Sequence, residues 1–252
     1  MKKVLAELKM TLETEDADFG YYRSSNMQGV LMEQIDPDYA GRLHEQGLNP
    51  YSQYVYQSRG ECQWIVHTLT REAYDHIIVP LQDPAFQSFS LKKKEDPITI
   101  SRKELKTVTK KSLLDEFYAS EGSRYLSVEF LTPAAFRQNG IYINYPDLRL
   151  IFQSLMNKYS ASNEEFRMFD EETLDQLRSN LMISRYRMQS AVFPMEGVKI
   201  PGFTGKMTIR VGGTKTMANY ARMLLRFGEY SGVGIKTGMG MGAVRLEEKE
   251  KL

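Results

Sequence analysis

The sequence predicts an α+β fold in which one order of elements, β-α-β-β-α-β, occurs twice. Three observations predict it. Strictly alternating segments open both halves of the chain, helix-period stretches follow each of them, and a charged connector near residue 120 separates the two. In the first half, Val4, Ala6, Leu8, Met10 and Leu12 fall on one face and Glu7, Lys9, Thr11 and Glu13 on the other, the pattern of a half-buried strand. Met27, Val30, Leu31 and Ile35 then follow at helical spacing, with Ser25 or Asn26 as a cap. Asp36-Pro37 starts a short helix, Asp as cap and Pro at the first helical position, that runs through Tyr39 and Leu43 to Glu45 and stops at Gly47. Strands are expected at residues 51–57 and 61–69 around Arg59-Gly60, a helix at 71–79, and an extended stretch at 86–91.

The second half repeats the order. Leu126, Val128 and Phe130 alternate with Ser127 and Glu129; helical periodicity covers residues 147–159, and an acidic helix covers 164–178. Extended segments at 182–193 and 199–211 lead into an amphipathic helix carrying Met217, Tyr220, Ala221 and Leu224, which Gly228 would cap before a last strand at 242–246. Two such copies imply tandem ferredoxin-like (RRM-like) modules, residues 1–120 and 121–252, a sheet topology that RNA-binding domains often use.

With 252 residues and 42% apolar composition the chain can bury a sizeable core. Its one cysteine, Cys62, excludes an internal disulfide framework and a thiolate metal cluster. No signal-peptide core and no membrane-length apolar run is present, which predicts a soluble, cytoplasmic protein with no membrane partner. The formal net charge is only +1, but the charge is unevenly spread. Between residues 179 and 245 there are ten Lys or Arg against two Glu, so the positive field concentrates in the last third. A second basic group, Lys92 to Lys94 with Arg102, Lys103, Lys106, Lys110 and Lys111, reads as a solvated connector.

Residues 232–242 read Gly-Val-Gly-Ile-Lys-Thr-Gly-Met-Gly-Met-Gly. Removing Cβ from Gly232, Gly234, Gly238, Gly240 and Gly242 lets backbone N–H groups approach an anion, with Lys236 adding charge and Thr237 a hydroxyl. The competing reading is a glycine-rich bend at a sheet corner. Neither a Walker loop nor a dinucleotide fingerprint fits the spacing. Arg185 and Arg187, two apart on a strand, form a plausible phosphate track. Of three histidines, His67 sits in an apolar strand and His76 within a helix, where structural or packing roles are expected. His44 falls in the last turn of its helix, where the helix dipole favours an imidazolium able to give a proton to a leaving oxygen; a plain surface histidine is the alternative. Metal-ligand spacing is absent, so neither metal nor cofactor is implied.

On these residues the chain resembles the CRISPR-associated endoribonucleases that cut precursor CRISPR RNA, the sixth Cas protein family of the RAMP superfamily. The family's C-terminal signature, Gly-hydrophobic-Gly, five residues, Gly-hydrophobic-Gly, is matched by Gly232-Val233-Gly234 and Gly240-Met241-Gly242 and closes on a final strand, Ala243-Val244-Arg245-Leu246. Leu126 to Pro133 and Leu43-His44-Glu45 are similar to the family as well. The resemblance implies metal-independent cleavage of repeat RNA by its own 2′-hydroxyl, leaving a 2′,3′-cyclic phosphate and a 5′-hydroxyl, with His44 at the position of the catalytic histidine. Where certain members carry a catalytic tyrosine on the first helix this chain has Met32, and no lysine closely follows His44; Tyr39, Tyr22 or Arg23 are the candidate partners. The implied partner is CRISPR repeat RNA, with effector-complex subunits as further partners, acting as monomer or homodimer. A non-catalytic RNA-binding subunit of an effector complex is the alternative reading, and a nucleotide-binding protein a weaker third.

Overall fold

The computed structural model describes residues 4–16, 18–45, 47–58, 60–91, 97–119, 123–162, 169–195 and 197–247. β1 (Val4–Glu13) forms the centre of the first sheet because its alternation gives one face to a core: Ala6, Leu8, Met10 and Leu12 are buried with Met27, Leu31, Ile35, Ile77 and Leu81. It pairs antiparallel with β3 (Glu61–Thr68) on one side and β5 (Ile98–Thr109) on the other. With β2 (Tyr51–Ser58) outside β3 and a two-residue β4 (Ser88–Phe89) outside β5, the order is β2-β3-β1-β5-β4. Setting β4 aside, the module's four strands run second, third, first, fourth across the sheet, which is ferredoxin-like order.

The helical layer is α1 (Ser24–Gln34), entered through a 3-10 turn at Tyr21–Arg23, then α2 (Pro37–Glu45), α3 (Arg71–Ala73), a π-helical turn at Tyr74–Ile78 and α4 (Val79–Gln82). Asp36 caps α2 as expected, its Oδ1 accepting from the Tyr39 N–H at 3.0 Å. Ser25 and Asn26 do not cap α1; they lie inside it, and its N-cap, Arg23, makes no side-chain cap bond. The helix expected to end at residue 79 continues to Gln82. Pro80 has no N–H to give the carbonyl four residues back, and the widened π turn immediately before α4 absorbs that missing bond.

The fourth strand is a correction. The extended stretch at 86–91 supplies only β4, while the stretch read as a solvated connector holds β5, twelve residues long, paired with β1 from Val4↔Thr109 to Glu13↔Thr99 with one register shift between Thr11 and Leu12. Its charges belong to a strand near the sheet edge, where only Ile98 and Ile100 are buried. Lys92, Lys93 and Lys94 lie outside the described residues, as do Arg59 and residues 120–122. Lys110 and Lys111 begin α5 (Lys110–Ala119), a helix without a sequence-level expectation.

In the second sheet, β6 (Tyr125–Ala134) lies between β11 (Val244–Glu247) and β10 (Val198–Val211), with β9 (Leu181–Met195) at the edge: β11-β6-β10-β9, again fourth, first, third, second. A small hairpin, β7 (Phe136–Gln138) and β8 (Ile141–Ile143), turns at Asn139-Gly140, both with positive φ. Helices α6 (Leu148–Ala161), α7 (Glu171–Ser179) and α8 (Lys215–Ser231) complete this module, and α6 and α8 cover one face of the sheet with Ile151, Leu155, Ala221, Leu224 and Phe227. The acidic helix begins later than expected, capped by Asp170, and residues 163–168 lie outside the described residues. Gly228 does not end α8. The helix runs on to Ser231 and is capped by Gly232 at φ 63, while Gly228 lets α6 approach, since a Cβ there would meet Leu155 Cδ2 at 2.9 Å.

Candidate active site

The glycine-rich segment leaves α8 at Gly232, makes a 3-10 turn at Thr237–Met239 and enters β11. It is a packed junction between the modules. Val233 N–H donates to Gly242 O at 2.8 Å, Gly234 N–H to Ser154 Oγ at 2.9 Å, Ile235 N–H to Ala135 O at 3.0 Å and Gly242 N–H to Pro133 O at 2.9 Å. From the first sheet, Gln53 Nε2 donates to Gly238 O at 3.1 Å and to Ser24 O at 2.8 Å, while its Oε1 accepts from Trp64 Nε1 at 3.0 Å. Ser24 lies against Gly240, and Tyr51 and Asn49, just downstream of His44, lie against Gly238.

Both sequence readings of these glycines therefore meet in one place. The N–H groups of Gly232, Gly234, Gly240 and Gly242 are all engaged inside the protein, so those glycines serve close packing. Thr237 and Gly238 are buried, and the residue turned outward is Lys236, exposed and in the left-handed region at φ 54. What anchors it lies outside the segment and was not singled out from the sequence: Lys158 of α6, buried, donates to Ser231 O at 3.2 Å, Gly232 O at 3.1 Å and Thr237 Oγ1 at 3.2 Å.

The three histidines separate cleanly. His67 is buried; its Nε2 donates to Glu7 Oε2 at 3.0 Å, and Nδ1 faces Ser52 Oγ at 3.4 Å, which itself donates to Tyr230 O at 2.7 Å. The hydrogen bond from His67 holds the Glu7 carboxyl below its usual range, against the opposing effect of burial. His76 stacks on Tyr39 at 4.4 Å between ring centroids. His44 is exposed in the last turn of α2 and makes no hydrogen bond to a described residue.

The candidate partners of His44 are not gathered around it by any hydrogen bond. Tyr39 is 2% exposed, and its hydroxyl is buried with no partner among the described residues; burial holds its proton far above the ordinary phenol range. Arg23 is ion-paired to Asp16 at 3.0 Å. Tyr22 is half-buried and lines a small hollow with Tyr21, Tyr56 and Leu131; desolvation, followed by Asp16 and Asp18, raises its hydroxyl.

Arg185 and Arg187 stand on the edge strand β9, both exposed and without an ion pair to a described residue. They face Thr208 and Lys206 of β10 across the ladder and line a hollow of about 670 Å³ with Glu129 and Tyr186. A cleft of about 680 Å³ opens between the free face of the first sheet and the end of α8, lined by Lys9, Tyr54, Tyr56, Lys106, Tyr230 and Arg245. Arg245 spans it, bonding Glu129 Oε2 at 2.9 Å and Tyr56 OH at 3.3 Å. Much of the basic last third is thus internally balanced: Lys206 pairs with Glu247 and Arg226 with Glu229. Among the described residues, no three His, Cys, Asp or Glu side chains converge as a metal set, and no helix is long and apolar enough to cross a membrane.

Residues 128–244 match the family model for CRISPR-associated endoribonuclease Cas6. The CRISPR-associated endoribonuclease Cas6 of Streptococcus thermophilus is 40% identical over 222 residues, covering 88% of this chain and 90% of that protein. Its namesake in Mycobacterium tuberculosis is 40% identical over 254 residues, covering 98% of this chain and 80% of that one. Among solved structures, a Cas6 product complex superposes with a TM-score of 0.80 at 24% identity, covering 97% of this chain and 100% of that chain. A Cas6 of Thermus thermophilus gives 0.74 at 20% identity, covering 98% of this chain and 100% of that chain. Two tandem sheets of ferredoxin-like order, the family-model match over residues 128–244 and relatives at 40% identity over most of its length place the chain in the Cas6 family of CRISPR-associated endoribonucleases.

Proposed function

We propose that the protein cleaves CRISPR repeat RNA in the cytoplasm, maturing precursor crRNA into guide RNAs, and that His44 carries the proton transfer. In this reaction the 2′-oxygen attacks the adjacent phosphorus, the P–O5′ bond breaks, one proton leaves the 2′-hydroxyl and one is delivered to the departing 5′-oxygen. The ends are a 2′,3′-cyclic phosphate and a 5′-hydroxyl, and no metal is required. The observation that carries the assignment is the sorting of the imidazoles: His67 is held by Glu7 and Ser52, His76 by Tyr39, and His44 alone is exposed and uncommitted among described residues.

The substrate backbone is gripped by Lys236 on the outer side of the glycine junction and by Arg185 and Arg187 on β9, which imposes in-line geometry and offsets charge on the phosphorane. Modules 1–120 and 121–252 divide the work, the first carrying His44 and the second the grip. The test compares wild type with His44→Ala on the matched repeat RNA in EDTA, reading binding and cleavage separately. Cleavage lost with binding retained supports the assignment; His44→Ala cutting as fast as wild type refutes it.

A further inference from the structure

Lys158 is a lysine in a place where lysine opposes folding. It sits on the buried side of α6 beside Leu155 and Tyr159, 6% exposed. Among the described residues no carboxylate faces it, and burial pushes its ammonium down to about 7. An apolar side chain of similar length would fill the space without that penalty. Its geometry is nevertheless complete: an ammonium has three N–H donors, and here three acceptors meet them, Ser231 O, Gly232 O and Thr237 Oγ1. The two carbonyls close the C-terminal end of α8, where the helix dipole favours a cation, and the hydroxyl belongs to the first residue of the 3-10 turn. Thr237 is held from its other side as well, since its Cγ2 occupies the space a Cβ on Gly232 would need, at 2.7 Å.

Between these two anchored points the chain passes through Lys236, a non-glycine residue at φ 54 and ψ 35. Such a conformation persists only where the surroundings determine it. We propose that Lys158 is a positioning residue for RNA binding: by locking Thr237 to the end of α8 it fixes the left-handed turn at Lys236 and so the direction in which Lys236 presents its charge to the RNA backbone. The inference rests on the proposed role of Lys236 as a phosphate grip.

The test uses the full chain and its own repeat RNA with a 2′-deoxy nucleotide at the mapped cleavage site, so that affinity is read without turnover. Lys158→Met removes a desolvated charge but leaves two carbonyls and the Thr237 hydroxyl without that donor, so it is expected to melt somewhat below wild type and, at a temperature where it is fully folded, to bind the RNA roughly tenfold more weakly, as a lost charge-assisted contact does. Lys236→Ala should weaken binding by a similar factor, and the double variant should be no weaker than Lys236→Ala alone. Thr237→Val, which deletes the hydroxyl from the lock and leaves Lys158 in place, should give the same loss and the same non-additivity if Lys158→Met does not fold. Wild-type affinity in Lys158→Met and Thr237→Val beside a weakened Lys236→Ala would overturn the lock while leaving the grip intact. Additive losses would overturn it too, because Lys158 would then act on RNA independently. Unchanged affinity in Lys236→Ala would remove the grip itself, and the proposal with it.

Discussion

Gly240→Ala tests the idea that the glycine junction holds the two modules together. Gly240 has φ 110, and a Cβ built there falls 2.1 Å from Ser24 Cβ and 2.8 Å from Ser24 Oγ. That hydroxyl accepts the Val55 N–H at 2.9 Å, so a methyl group must displace both α1 and its bond to β2. Holding an L-residue in left-handed backbone costs about 1–2 kcal/mol. Forcing a methyl into a packed contact adds about 1–3 kcal/mol. Together these give about 2–5 kcal/mol, which for a chain of this size lowers the melting temperature by about 4–20 °C. Gly29→Ala and Gly41→Ala, in α1 and α2 with nothing within 4 Å of a new Cβ, run the same assay in the opposite direction. Each removes a helix glycine and should raise stability by about 0.5–1 kcal/mol. A Gly240→Ala protein melting within about 1 °C of wild type would refute the steric reasoning.

Other outcomes follow from single contacts. Because Glu7 has its carboxyl lowered in the folded state, its stabilising contribution is present above the unfolded carboxylate range and is lost as pH falls through the folded value. Urea midpoints measured from about pH 6 to about pH 3 should therefore fall less steeply in Glu7→Gln than in wild type. Arg185→Ala combined with Arg187→Ala should weaken repeat-RNA binding and reduce the slope of log affinity against log salt by about 1.4, two single-strand phosphate contacts at about 0.7 each; an unchanged slope would remove β9 from the RNA path. Gln53→Leu leaves the Trp64 indole N–H without its buried acceptor and should destabilise the fold by about 1–3 kcal/mol in chemical denaturation.

Much of the architecture was legible because binary pattern and burial agree. β1, α2 and β6 lie where alternation, Asp36-Pro37 and the Leu126-Val128-Phe130 series place them. β5 was not legible for the opposite reason: as a near-edge strand it buries only Ile98 and Ile100, and Arg102, Lys103 and Lys106 carry a connector's signature although the strand pairs with β1 over most of its length. The β7–β8 hairpin did carry a local signal, Asn139-Gly140 between short apolar runs, which the longer helical period at 147–159 overshadowed. Lys158 was marked only by a charged residue interrupting the apolar face formed by Phe152, Leu155 and Tyr159, and its partners lie more than seventy residues downstream. No single-segment pattern carries a contact of that range.

The glycine segment shows why a motif can point to the right family while its glycines do a different job from the one the motif suggests. Open backbone N–H groups would make the segment a nest for phosphate, yet those of its paired glycines are engaged within the protein, and the missing Cβ atoms admit Ala135 O beside Gly234 and Val233 O beside Gly242. The spacing is therefore a packing requirement: each Gly-hydrophobic-Gly pair lets backbone touch backbone while Val233 and Met241 fill the space beneath. This separates two classes of substitution. Replacing a paired glycine should move melting temperature and RNA affinity together, because the junction itself is disturbed. Lys236→Ala should move affinity alone, since its side chain is exposed and makes no ion pair with a described residue. If both classes lowered the melting temperature equally, Lys236 would be part of the junction and the grip on RNA would have to lie elsewhere.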